Sequence, residues 1–106
     1  RQLYKERDAN NIMAMTWTWI HNDISANETF DGDLDAALGA ITAKTVLMPG
    51  MTDLYFRTAD SEEELQHLQD GRLQEIPSIW GHMCGAGQHE ADTEFIDQTL
   101  KALLAS

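Results

Sequence analysis

The sequence predicts an α/β fold in which parallel strands alternate with helices. From Thr45 onward its patterns follow the order strand, loop, helix, strand, loop, helix, which is typical of an α/β sheet. The first strand is a continuous apolar run, as expected of a parallel strand that is covered on both faces. Two strands cannot complete such a sheet, so we expect the chain to be a fragment of a larger one, with further strands N-terminal to Arg1.

Helical patterns occupy the first part of the chain. Asp8 can cap a helix over residues 9–21, and we expect this helix to be buried on several sides or to line a pocket. Its apolar residues are distributed around nearly the whole circumference of the helix. They are Ile12, Met13, Met15, Trp17, Trp19 and Ile20. A polar, irregular stretch follows over 22–32. The spacing of Leu34, Ala37, Leu38 and Ile41 then predicts a short helix over 33–41.

The elements after residue 44 carry the α/β alternation. Residues 45–48 predict a strand that ends at Pro49-Gly50, and residues 72–76 predict a second strand after the turn at Asp70-Gly71. Between them, a capping-box match at 61–64 predicts a helix that runs to about residue 68. Asp92 or Thr93 is predicted to cap a last helix. The apolar stripe of that helix consists of Phe95, Ile96, Leu100, Leu103 and Leu104.

Composition excludes several kinds of partner. The chain has 18 acidic and 7 basic residues, a formal net charge of −11, which argues against nucleic acid and against an anionic membrane surface. No apolar run approaches the roughly 20 residues that span a bilayer. The chain begins at Arg1 without a signal-peptide pattern, as a fragment or a processed product would. The single cysteine, Cys84, excludes an internal disulfide and favours a reducing compartment, so we expect a cytoplasmic protein.

A carboxylate and an imidazole follow the two predicted strands. Asp53 lies in the loop after the first strand, and His82 lies in the loop after the second. Ligands of open α/β sheets bind at the carboxyl ends of the strands, where these loops lie. The order acid and then histidine is that of hydrolase triads, in which the acid orients the histidine and the histidine takes the proton of a nucleophile. Spacing alone also allows an ordinary turn aspartate and a structural histidine.

The segments around these residues resemble the homoserine O-acetyltransferase-like branch of the α/β-hydrolase superfamily. The two loop motifs are Met-Pro-Gly-Met-Thr-Asp-Leu-Tyr-Phe at 48–56 and Ile-Pro-Ser-Ile-Trp-Gly-His at 76–82. Shorter matches are Asp-Ala-Asn-Asn at 8–11 with the Trp-rich helix after it, Asp-Ile-Ser at 23–25, Asp-Ser-Glu at 60–62 and Phe-Ile-Asp at 95–97. The resemblance covers essentially the whole chain.

The resemblance implies that the chain is the C-terminal portion of an α/β-hydrolase fold. Residues 1–33 would be a lid-side or core helix with a connecting loop, and residues 34–106 would be the C-terminal core segment. Asp53 would be the triad acid and His82 the general base. The family's nucleophile, a serine in a Gly-x-Ser-x-Gly turn, has no match here. No serine stands between glycines at that spacing; the four serines are Ser25, Ser61, Ser78 and Ser106.

Two positions depart from the family pattern. Homoserine acetyltransferases typically have an acidic residue after the histidine, where this chain has Met83. Met83 cannot pair with a substrate ammonium group, which puts homoserine in doubt as the acceptor. Relatives often carry proline where this chain has Arg57, on the expected rim of the pocket.

Three other residue groups have ordinary structural explanations. His82, Cys84 and His89 match no common zinc spacing, so we expect no metal. Cys84 lacks the strained turn of a hydrolase nucleophile and is more simply a buried small residue. Asp31, Asp33 and Asp35 lack the glycine and the closing glutamate of a calcium loop and fit charges at a helix N-terminus.

Substrate-binding residues are weaker candidates. Trp17 and Trp19 are expected to serve packing, with the alternative that they border an apolar acyl pocket, and Met83 is a further candidate. We expect acyl transfer or ester hydrolysis through a serine supplied upstream. The expected partners are a small acyl donor and either an acceptor or water, without a cofactor, and a homodimer of the full-length enzyme stays open. The alternative is a non-catalytic truncated fragment or an association subunit.

Overall fold

The structure, a computed structural model, describes residues 8–106. The helices are α1 (Ala9–His21), α2 (Leu34–Gly39), α3 (Thr58–Leu65) and α4 (Glu90–Leu104), with a 3-10 turn at Gly81–Met83. The strands are β1 (Thr45–Leu47) and β2 (Gly71–Leu73). The chain divides into two compact units, of which the first ends at Leu34 and the second begins at Asp35. No helix of the described part is long and apolar enough to cross a membrane.

The first unit contains α1 and a polar loop. Asp8 caps α1, since its side chain accepts hydrogen bonds from the backbone N–H groups of Asn10 and Asn11. The predicted bounds of α1 are confirmed, but the expected burial is wrong, because no residue of α1 is buried. Trp17 and Trp19 are 63% and 58% exposed. The residues that follow α1 in its own unit are mostly polar, so they offer its apolar surface little to pack against.

The second unit is built on a parallel pair of strands, as predicted. Thr45 pairs with Gly71, Val46 with Arg72 and Leu47 with Leu73. The second strand begins one residue earlier than predicted, and its regular part ends at Leu73 rather than at Ile76. Pairing resumes at Gly50 and Ile76.

The interruption of the strand pair has a simple cause. Pro49 has no N–H to donate to the neighbouring strand. Its carbonyl still accepts from the N–H of Ile76 at 2.8 Å, and the N–H of Met51 donates to the carbonyl of Ile76 at 3.0 Å. The backbones after β1 and β2 therefore stay side by side, and both loops leave the sheet at the same edge.

Two helices begin earlier than predicted. The predicted capping box at Ser61 lies inside α3, which starts at Thr58. Arg57 precedes α3, accepts from the N–H groups of Asp60 and Ser61, and also holds the Asp60 carboxylate with its guanidinium. The last helix starts at Glu90, so Asp92 lies in its first turn rather than at its cap. Asp92 points its carboxylate inward to Ser78 instead of capping the backbone.

The core of the second unit is small. The buried apolar side chains of the described residues are those of Ala37, Ile76 and Cys84. Helix α3 packs on β2 at Gly71, where a side chain would collide with Leu65 and Leu68. The predicted stripe of α4 is half-buried at Phe95, Ile96 and Leu103, whereas Leu100 and Leu104 are exposed.

Candidate active site

The structure brings Asp53 and His82 together. His82 Nδ1 lies 3.0 Å from Asp53 Oδ2, across 29 positions of sequence. Asp53 is only 8% exposed, while the His82 side chain is 50% exposed. An ionised carboxylate can only accept, so Nδ1 carries the proton that forms this hydrogen bond. The second ring nitrogen, Nε2, is then left to accept a proton from another group.

The acid loop (residues 49–54) places Asp53 by a tight turn. The N–H of Asp53 donates to the carbonyl of Gly50 at 2.9 Å, and Asp53 Oδ1 accepts from the N–H of Tyr55 at 2.8 Å. Both carboxylate oxygens are thus hydrogen-bonded, one to the backbone and one to the imidazole. This arrangement fixes the direction in which the carboxylate points.

The surroundings of Asp53 keep it ionised. Burial by itself raises the pKa of Asp53, but the hydrogen bond from His82, the backbone N–H groups of Tyr55 and Phe56, and the charge of His82 together lower it below the ordinary 3.8. The carboxylate is therefore charged at neutral pH. A charged acid can hold the imidazole in one tautomer and can stabilise the imidazolium form.

Two aromatic rings flank His82. The Tyr55 ring lies edge-on with its centroid 4.9 Å from that of the imidazole, and the Phe56 ring is tilted at 5.4 Å. Both residues directly follow the acid loop, so one short segment supplies the aspartate and the rings around its histidine. Packing of this kind restricts the rotamers of the imidazole and partly shields it from water.

The histidine loop (residues 77–82) is held in place by side-chain hydroxyl groups. Thr52 Oγ1 donates to the carbonyl of Ser78 and accepts from the N–H of Gly81, both at 3.0 Å. Ser78 Oγ donates to Asp92 Oδ2 at 2.7 Å and accepts from the N–H of Trp80 at 3.2 Å. Ser78 and Trp80 belong to the loop motif that the sequence singled out at 76–82, but the sequence did not identify Thr52 or the inward direction of Asp92.

Glycine allows the two loops to meet closely. A Cβ at Gly50 would lie 2.7 Å from the sulfur of Cys84 and 3.2 Å from the carbonyl oxygen of Gly81. Gly81 itself has φ of +54°, which favours glycine, and a Cβ there would lie 3.2 Å from the carbonyl oxygen of Thr52. The acid loop and the histidine loop therefore share one tightly packed boundary.

Asp53 and His82 open onto a cavity of about 410 Å³ in the second unit. Its wall includes Phe56, Ile76 and Cys84 beside the two polar groups. A mostly apolar cavity with a few polar groups at one point is typical of small-molecule sites. The imidazole of His82 therefore lies beside an open, mostly apolar surface.

The other sequence candidates differ from His82 and Asp53 in their burial and contacts. Cys84 is buried, and burial together with the charges of Asp92 and Asp53 raises the pKa of its thiol, which disfavours the nucleophilic thiolate. Met83 follows His82 in the 3-10 turn and is exposed. Trp17 and Trp19 belong to the first unit, where Trp17 stacks on His21 with centroids 4.2 Å apart.

No metal cluster is present among residues 8–106, where no three His, Cys, Asp or Glu side chains are grouped to hold an ion. His89, one of the three candidate zinc ligands, stacks on Trp80 with centroids 4.1 Å apart. Asp35 faces His67 at 3.4 Å, and Asp31 adopts a positive φ of 48° in a turn. These contacts give the residues structural roles.

The described serines have other partners or positions. Ser25 Oγ donates to Asp23, Ser78 Oγ to Asp92, and Ser106 Oγ to the carbonyl of Leu103. Ser61 lies within α3 and borders the cavity. Within residues 8–106, no hydrogen bond joins a serine to His82.

Comparisons with known proteins identify esterases as relatives. No family model matches the chain. It is 35% identical over 104 residues to a probable esterase of Corynebacterium glutamicum and 33% identical over 98 residues to the ethyl acetate hydrolase of Pseudomonas veronii. These matches cover 98% and 92% of the chain, but only 29% and 27% of the relatives.

Solved structures agree with the sequence comparison. The chain matches an acetylester hydrolase from Corynebacterium glutamicum at a TM-score of 0.87 and 35% identity, and the acetyl esterase MekB at 0.87 and 34%. Each match covers 94% of this chain and 28% of the solved chain. Nearly the whole chain is thus homologous to one segment of each relative, and that segment is less than a third of the relative's length. The relatives are named as esterases or acetylester hydrolases.

Proposed function

We propose that this chain supplies the acid and the base of a Ser-His-Asp triad in an ester hydrolase with the α/β-hydrolase fold, of the homoserine O-acetyltransferase-like branch. The observation that carries the proposal is the Asp53–His82 hydrogen bond, with a buried acid and a half-exposed base at the edge of a cavity. A cleft carboxylate whose pKa is shifted and which has a specific partner, as Asp53 has, is typical of catalytic sites. The esterase names of the relatives support the same chemistry.

In the proposed mechanism, a serine that precedes Arg1 attacks the ester. His82 Nε2 takes the proton of the serine hydroxyl, the serine oxygen bonds to the ester carbonyl carbon, and a tetrahedral oxyanion forms. The imidazolium returns the proton to the leaving alcohol as the C–O bond breaks. A water molecule then attacks the acyl-serine by the same route and releases the acid. Asp53 holds His82 and stabilises its charged form throughout.

The relatives favour water over an alcohol as the second acceptor. Two of them are named as hydrolases of ethyl acetate or of acetyl esters. Met83 points the same way, because a thioether cannot bind the ammonium group of homoserine. We therefore propose a small ester, such as an acetyl ester of a simple alcohol, as the substrate class.

The experiment uses the full-length polypeptide that contains this chain, with p-nitrophenyl acetate as substrate. His82→Ala is expected to lower kcat by about 10⁴- to 10⁶-fold, since removal of a triad histidine has effects of this size. His67→Ala is the matched control, because His67 also faces an aspartate in the second unit but lies outside the cavity, and it should keep wild-type turnover.

An unchanged rate in His82→Ala would refute the assignment of the base. An inactive wild-type protein would instead favour the alternative, in which the chain belongs to a non-catalytic association subunit. Labelling of a serine by a fluorophosphonate, followed by peptide mapping, locates the nucleophile. Label on Ser61 would contradict a serine upstream of Arg1.

A further inference from the structure

We propose that Thr52 is a positioning residue, whose hydroxyl holds the histidine loop in the register that places His82 on Asp53. The inference rests on the proposed function, because it names a residue that serves the same pair. Thr52 does not touch the cavity wall around the base, so it acts only through its neighbours.

Two adjacent hydrogen bonds connect the acid loop with the histidine loop. Thr52 immediately precedes Asp53, and Gly81 immediately precedes His82. The hydrogen bond from the Gly81 N–H to Thr52 Oγ1, at 3.0 Å, therefore lies one residue before the bond between His82 and Asp53, also at 3.0 Å. A shift of the backbone at Gly81 would therefore also move His82 relative to Asp53.

The hydroxyl of Thr52 uses both of its hydrogen-bonding functions. It donates to the carbonyl of Ser78 and accepts from the N–H of Gly81, so it spans the histidine loop from its second residue to its fifth. A hydroxyl has one donor and two acceptor positions, which suits this bridge, while a methyl group of the same size has neither. Serine can make the same bridge, and valine cannot.

The position of Thr52 separates a positioning role from a purely structural one. Thr52 is exposed and so is its bond with the Gly81 N–H, so water can replace the hydroxyl there, whereas its bond to the carbonyl of the buried Ser78 is half-buried. The cost in stability should then be about that of one half-buried hydrogen bond. The cost in catalysis should be larger, because a displacement of about 1 Å at a reacting group can lower the rate about 100-fold.

The test measures kcat and KM for p-nitrophenyl acetate in the full-length protein. Thr52→Val is expected to lower kcat about 10- to 100-fold with KM within about twofold, since the hydroxyl places the base rather than the substrate. Thr52→Ser is expected to recover most of the wild-type kcat. Thr58→Val is the matched control, because it removes another hydroxyl bridge, from Thr58 to Glu75 at 2.6 Å, outside the cavity.

A spectroscopic measurement accompanies the kinetics. The Nδ1 proton that His82 shares with Asp53 gives a low-field proton resonance, which His82→Ala identifies by its loss. We expect this resonance in wild type and in Thr52→Ser, and its broadening or loss in Thr52→Val. A structural role alone would lower the melting temperature without changing this signal.

Several outcomes would overturn the proposal. Wild-type kcat in Thr52→Val, or a loss in Thr52→Ser as large as that in Thr52→Val, would show that the hydroxyl bridge does not place His82. If Thr52→Val fails to fold, Thr52→Ala removes the hydroxyl with less bulk and decides the same question. An inactive wild type or an active His82→Ala would refute the proposed function itself, which is a distinct result.

Discussion

Asp53 and Asp92 are two buried carboxylates in the same unit, and they differ in their hydrogen-bond partners. They are 8% and 7% exposed. Asp53 accepts from a half-exposed imidazole at the edge of the cavity, whereas Asp92 accepts from the hydroxyl of Ser78, which is itself buried. Asp53 lies in a loop, and Asp92 lies in the first turn of α4, where the helix dipole favours a negative charge.

Burial is similar at the two carboxylates and both are hydrogen-bonded, so neither property separates the proposed catalytic role of Asp53 from a structural role. The partner distinguishes them, because an imidazole can change its charge during a reaction and a serine hydroxyl in a closed contact cannot. Asp53 is therefore expected to affect turnover, and Asp92 is expected to affect stability. Matched amide substitutions at the two positions separate these effects.

The largest effect is expected from Asp53→Asn. The amide can donate to His82 Nδ1, which leaves the proton on Nε2, the nitrogen that has to accept one. A substitution of this kind lowers kcat about 10⁴-fold in a serine-protease triad, and we expect a loss of similar size here. The measurement is kcat for p-nitrophenyl acetate in the full-length protein, with unfolding followed in parallel. A kcat within tenfold of wild type would contradict the role of Asp53.

An intermediate effect is expected from Asp92→Asn, and on stability rather than on turnover. The substitution weakens a buried hydrogen bond to a charged acceptor and removes a charge from the N-terminal turn of α4. Together these should cost about 1–3 kcal/mol in the free energy of unfolding. Denaturant titration measures this cost. The kcat should stay within a few-fold of wild type, because the side-chain oxygen of asparagine can still accept from Ser78 Oγ and keep the histidine loop in place. A loss of kcat as large as that of Asp53→Asn would contradict the expectation that Asp92 affects stability rather than turnover.

The smallest effect is expected from Asp60→Asn, at an exposed carboxylate. Asp60 pairs with the guanidinium of Arg57 at 2.6 Å, and both side chains are exposed. Exposed ion pairs contribute little, because water and salt screen them. We expect turnover equal to that of wild type and the smallest change in unfolding free energy of the three variants. A larger loss of unfolding free energy in Asp60→Asn than in Asp92→Asn would show that burial does not determine how much these carboxylates contribute to stability.

The sequence predicted the parts of the site that depend on chain order. The parallel strands followed from the alternation after Thr45, and the meeting of Asp53 with His82 followed from loops at the same sheet edge. These predictions succeed because parallel strands align their carboxyl ends whatever their lengths. The shortening of β2 also has a local cause, the missing N–H of Pro49, although the predicted bounds did not include it.

Other features depend on contacts between distant residues, which no local pattern encodes. The capping rule at Ser61 failed because Arg57 and Asp60 form an earlier helix start. The capping rule at Asp92 failed because Ser78, 14 positions away, binds its carboxylate. Helix α1 has the apolar pattern of a buried helix, and its exposure depends on what packs against it rather than on its own residues. The sequence indicates a role for Thr52 only through its position, since it places a hydroxyl directly before Asp53.

The close contact at Gly50 has a consequence for how such a site can be changed. Any side chain at this position would have to displace both the sulfur of Cys84 and the carbonyl of Gly81. The acid loop and the histidine loop therefore form one cassette for protein engineering. A graft that exchanges one loop between related esterases introduces a mismatched surface, whereas a graft of both loops together with the start of α4 carries the whole fitted unit across.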